Sequence, residues 1–130
     1  MADRNTLKKD GKLIVVDVAA NVVIEAGKMV AMNATGFAVP PADTAGLTVI
    51  GKADQRVDNT GGANGDKSVA VERKAAFLMK NSTTSAVTAA SIGKVVNVED
   101  SETVATTTTN SIAAGKCLGL EGSGVWIEIA

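Results

Sequence analysis

A chain of 130 residues with 13 basic and 14 acidic side chains, no His, no Tyr and one Cys has the length of one domain with its own core. Its net charge of −1 excludes the concentrated positive field that a nucleic-acid binder sets against phosphate, and the lack of His excludes Ser-His-Asp, Cys-His and Cys/His-zinc chemistry. Hydrophobic residues make up 45% of the chain but aromatics only 2%, so small branched side chains must fill the core, and a core that thin is expected to be completed in an oligomer.

Residues 1–12 are polar and charged, with one large aliphatic, Leu7, followed by Lys8 and Lys9. They lack the apolar stretch of a signal peptide, and no run in the chain approaches the ~20 apolar residues of a membrane helix. The protein is therefore expected to be made and folded in a cytoplasm, without a membrane partner. The segment reads either as a frayed tail or as an arm that orders on a partner by adding a strand to a neighbouring sheet edge.

From residue 13 to 130 the chain reads as a single β domain. Leu13-Ile14-Val15-Val16-Asp17-Val18 is a short β-branched run, Val69-Ala70-Val71-Glu72 alternates, and Val95-Val96-Asn97-Val98-Glu99 alternates after its first pair. Val125-Trp126-Ile127-Glu128-Ile129 alternates throughout. It sets three aliphatics on one face and Trp126 on the other. Glycine-rich turns at residues 26–28, 34–36, 60–66 and 121–124, and the Pro40-Pro41 turn, separate the apolar segments. The expected fold is all-β: a small sandwich or barrel of short strands. Residues 82–92, rich in Ser and Thr, allow one short helix and no more, and the chain as a whole at most one or two short helices. Thr106 to Thr109 reads equally as an exposed edge strand or a loop. Phe37 and Phe77 are expected in the core. Trp126, on the outer face, is expected at a subunit contact unless a loop of the chain covers it.

An internal repeat spans about 24–73 and 92–129. Gly27-Lys28-Met29-Val30 resembles Gly93-Lys94-Val95-Val96, and Gly51-Lys52-Ala53 resembles Gly115-Lys116-Cys117, with the spacing kept to within two residues. Each half then ends in a glycine turn and an alternating strand. The expectation is two similar β-meanders packed face to face.

No catalytic, metal or cofactor site emerges. Glu99-Asp100 with Glu102, and Asp54 with Asp58 and Asn59, lack the calcium-loop pattern and read as solvated turns. Residues 61–68 superficially resemble a phosphate loop. However, only three residues separate Gly61 from Gly65, and Asp66 stands where a phosphate would lie, so a hairpin loop is expected. Cys117 reads as a small buried apolar residue. No acid, base and nucleophile set can be named, and the chain is not expected to be an enzyme.

The order of these pieces resembles the capsid decoration (cement) proteins of tailed phages, small proteins long described only as a domain of unknown function. The resemblance is carried by Ala26-Gly27-Lys28-Met29-Val30, Val49-Ile50-Gly51-Lys52-Ala53, Gly65-Asp66-Lys67-Ser68-Val69-Ala70-Val71, Ala114-Gly115-Lys116-Cys117-Leu118-Gly119-Leu120 and Val125 to Ile129. It implies a β-tulip-like domain, a homotrimer, and a place on the exterior of a virion head, made in a bacterial host. There it would bind the major capsid protein lattice and clamp it against internal DNA pressure. It carries over no catalytic residue and no cofactor. Leu7, Lys8, Lys9 and Trp126 are the candidate contact residues from the residue reading. The competing expectations are another virion part (tail tube, baseplate or head-fibre base) or a small ligand-binding β module, for which the single Trp and absent Tyr leave few stacking surfaces.

Overall fold

Short β-branched runs cut by glycine turns cannot build long elements, and the computed structural model resolves them into twelve strands and one 3-10 turn at Ala89–Ser91. It describes residues 2–130; Met1, the first residue of the expected arm, lies outside the described residues. In chain order the strands are β1 (Leu13–Asp17), β2 (Val23–Ile24), β3 (Met29–Met32), β4 (Ala38–Val39), β5 (Thr48–Ala53) and β6 (Val57–Asp58). There follow β7 (Ser68–Glu72), β8 (Ala75–Asn81), β9 (Val95–Val98), β10 (Thr103–Ala105), β11 (Ala113–Glu121) and β12 (Gly124–Ile129). The fold is all-β, as expected from its short alternating runs and closely spaced turns.

The strands fall into two halves, residues 13–72 and 75–129, of the same topology. In the first the spatial order is β1-β7-β5-β3-β4; in the second it is β8-β12-β11-β9-β10, closed into a barrel where β10 meets β8 in parallel. The first half has a weaker version of that closure, a single parallel bridge from Val18 to Ala38. The ribbon β2-β6 belongs to the first half alone. Register repeats as well. Lys52 stands between Met29 and Glu72, and Lys116 between Val95 and Glu128. A bulge falls at the matching place, leaving Ile50 unpaired opposite Val30/Ala31 and Ala114 unpaired opposite Val96/Asn97.

Neither half is the expected meander, because spatial neighbours are not consecutive in the chain. The last strand of each half, β7 or β12, inserts beside the first. Each of these strands is paired on both sides and alternates, with Val69 and Val71, or Val125, Ile127 and Ile129, buried.

Each half has its own core of Val, Ile, Ala and Met. The aromatic expectation is corrected: Phe37 and Phe77 are only half-buried. Phe77 packs at the margin of the second core with Lys52 Nζ 5.5 Å from its ring centre. Phe37 sits at the turn after β3, where its N–H donates to Asn33 Oδ1 at 3.0 Å. Met29 of β3 is buried in the core of the second half, and Leu47 and Val49 pack against it, so the halves share apolar surface. Polar staples join them too. Asp43 accepts the N–H groups of Thr109 (3.0 Å) and Asn110 (2.8 Å), and the Met29 N–H donates to Ser101 O at 2.9 Å.

Two loops differ from, or decide between, the conformations their sequences allow. Thr106 to Thr109 is a loop, tied through Thr106 and Thr107 to the Ser85 hydroxyl at 2.7 and 2.9 Å. Residues 61–68 do not close a hairpin, since β6 pairs with β2 whereas β7 pairs with β1 and β5. The loop is a crossover from ribbon to sheet. Buried Asn59 pins it, donating through Nδ2 to Ala19 O at 2.8 Å and Ala63 O at 3.0 Å.

Candidate interaction surfaces

Several of the acidic residues that stand out in the sequence make contacts within the fold. Glu99 accepts the Ser82 hydroxyl at 2.6 Å, and the Asp100 carboxylate caps the Glu102 N–H at 2.9 Å. Glu102 pairs with Lys80 at 2.9 Å and Lys28 at 3.6 Å, joining the two halves. The Lys80 hydrogen bond holds the Glu102 carboxyl below its ordinary range, and Lys28 is raised, chiefly by its hydrogen bond to Glu25. Cys117 is fully buried. Among the described residues no three His, Cys, Asp or Glu side chains converge as a metal site. A groove of about 330 Å³ is lined by Val49 of the first half and by Val95, Ala113, Lys116, Glu128 and Ile129 of the second.

What the molecule offers instead is apolar surface on strands. On the outer face of the barrel formed by the second half Trp126 lies directly opposite Leu78 of β8, and Leu78 covers Gly124, where a Cβ would stand 2.7 Å from Leu78 Cδ1. Leu118, at the β11 bulge opposite β12, is exposed nearby in register. Trp126 itself is half-buried, its neighbours Val125 and Ile127 pointing into the core. Leu78 was invisible to the sequence reading because β8 (Ala-Ala-Phe-Leu-Met) is apolar on both faces and shows no alternation until its burial is known.

A second surface is the open edge of β1. Leu13 and Val15 are 52% and 67% exposed, in the register position that Ala76 and Leu78 hold in the second half. The arm precedes this strand. Residues 2–10 are exposed and form no strand, and Leu7 is 92% exposed with Lys8 and Lys9 beside it. The arm candidates and Trp126 thus belong to different surfaces, the first leading into β1 and the second on β12.

No protein-family model matches the chain, and none of the curated proteins or solved structures compared with it matches.

Proposed function

We propose that this protein is a structural component of a virus particle that binds the outside of a phage head and stabilises the shell. The observation that supports this most is the pairing of an outward Trp126–Leu78 patch with an exposed arm on a doubled β scaffold. Leaving large aliphatics in water forgoes about 1.5–3 kcal/mol apiece relative to burying them. A partner surface recovers that energy. The arm residues Leu7, Lys8 and Lys9 and the face bearing Trp126 are the contact candidates, and the partners they serve are a further copy of the chain and the major capsid protein lattice. Each copy binds weakly and the array of linked sites supplies avidity. On this reading the protein is not an enzyme, and self-association, with a trimer as the expected state, precedes or accompanies attachment.

The test is sedimentation of heads assembled without this protein after mixing with purified full-length chain. Saturable binding at a fixed ratio to the capsid protein is the expected result. Binding to tails, or polymerisation into tubes without heads, would favour the tail-tube alternative.

A further inference from the structure

We infer that the open edge of β1 takes up residues 5–9 from the N-terminal arm of a second copy, as an added parallel strand. This rests on the self-association in the reading above and not on attachment to a head.

The backbone of β1 sets the direction. Arg73 N–H donates to Lys12 O and Val18 N–H to Lys67 O, both at 2.8 Å, so the even-numbered residues of the strand turn their polar groups toward β7. Alternation then aims the N–H and C=O of Leu13 and Val15 away from β7, where the sheet has no further strand among the described residues. The only closure on that side is the bridge from Val18 to Ala38, past the end of the strand. An apolar edge left open in this way is a template for another chain.

The arm complements that edge in one register. With Leu7 of the donor set beside Val15, a parallel strand places Asn5 beside Leu13 and Lys9 beside the exposed carboxylate of Asp17. The antiparallel strand with the same Leu7–Val15 contact places Lys9 against Leu13 and Asn5 against Asp17, and the opposite-charge pair is lost. The donor is another copy because only Asp10, Gly11 and Lys12 lie between the arm strand and its own β1, whereas a parallel pair within one chain needs a crossover of about a dozen residues. At Gly11 the chain still runs beside Lys74, just beyond β7, where a Cβ would stand 2.8 Å from Nζ, so the β1–β7 register continues to the base of the arm. Every copy gives one arm and receives one. The contact is head-to-tail, and closes into a ring where the rotation permits.

The experiment uses two full-length variants, Leu7→Cys and Val15→Cys, purified reduced, checked for an unchanged thermal melt, mixed and gently oxidised. Cys117 is fully buried and stays out of the exchange. The expected product is a mixed disulfide between positions 7 and 15, identified by mass spectrometry. Adding Lys9→Asp to one partner or Asp17→Lys to the other should lower its yield about two- to fivefold, and combining both should restore it. A dominant disulfide between two Val15→Cys chains would pair β1 with β1 and overturn the proposal. So would the absence of cross-links at high protein concentration, or a chain carrying both cysteines that closes only on itself. Loss of head binding with the cross-link intact would overturn the cement reading and leave strand exchange standing.

Discussion

Ala53 on β5 and Cys117 on β11 hold the same place in the two halves. Ala53 accepts the Gly27 N–H at 2.9 Å and donates to Lys28 O at 2.8 Å; Cys117 accepts the Gly93 N–H at 2.8 Å and donates to Lys94 O at 2.9 Å. Both glycines have left-handed backbones, with φ of 82° and 87°. Two residues earlier on each strand, Gly51 and Gly115 are squeezed for another reason: a Cβ would fall onto the carbonyl oxygen of Glu72 or Glu128 in the adjoining strand. The two kinds of glycine should separate in denaturation experiments. Gly27→Ala or Gly93→Ala meets no atom and should cost about 1 kcal/mol of backbone strain. Gly51→Ala or Gly115→Ala must spread two strands and should cost about 2–3 kcal/mol. Gly119→Ala, which meets nothing and has no left-handed backbone, should stay within about 0.5 kcal/mol of the parent.

Cys117 should ignore thiol reagents while the protein is folded, because it is fully buried in the second core. Its labelling rate should follow global unfolding across a denaturant series. Rapid labelling in buffer would show that β11 opens locally.

Asn59 anchors the crossover loop from a buried position, its Nδ2 donating to two carbonyls at 2.8 and 3.0 Å. Asn59→Ala removes the donor and leaves the Ala19 and Ala63 carbonyls without it, at a cost of about 1–3 kcal/mol by urea denaturation. Asn59→Asp should be at least as damaging, since it turns a carboxylate toward those oxygens.

Asp43 clamps the Thr106–Asn110 loop onto the first half. The Asn110 backbone N–H, reinforced by that of Thr109, holds its carboxyl below the usual value. A depressed folded pKa means the clamp's contribution is complete above the unfolded value of about 3.9 and is lost as pH falls through the folded pKa. Asp43→Asn should therefore melt below the parent above about pH 5, and the gap should shrink below about pH 4. A gap that is constant across that range would show that the carboxylate charge is irrelevant to the clamp.

Trp126 is the only tryptophan, so its fluorescence reports on the proposed contact face without labelling. Adding heads should shift its emission to the blue. Trp126→Ala and Leu78→Ala should each weaken head binding about tenfold or more while leaving a cooperative melt, as expected for aromatic and aliphatic anchors of an interface. Unchanged emission at saturation would place the contact elsewhere.

The sequence was most readable where one face is buried and the other wet. The alternation of Val125 to Ile129 marked β12, and the position of Trp126 on its outer face followed directly. It failed where both faces are apolar. β8 carries outward Leu78 and inward Met79 side by side, so no period of two survives in the residue types. Spatial strand order was equally hidden, since the insertion of β7 beside β1 depends on pairings between distant segments that no local pattern encodes. The close approach at Gly51 and Gly115 also could not be read locally. Their φ values are not left-handed, and only the position of the neighbouring strand explains why a side chain is excluded. The exposure of residues 2–10 was legible because the segment is polar and charged and offers a core one large aliphatic, Leu7.

The proposed function is reinforcement of a DNA-filled head. The most direct measurement is the temperature at which such heads release their DNA, followed with an intercalating dye, for heads lacking the protein and for the same heads after saturation with it. The account predicts a clear upward shift that grows with occupancy and disappears when Trp126→Ala replaces the parent chain. Release at the same temperature with and without bound protein would contradict it.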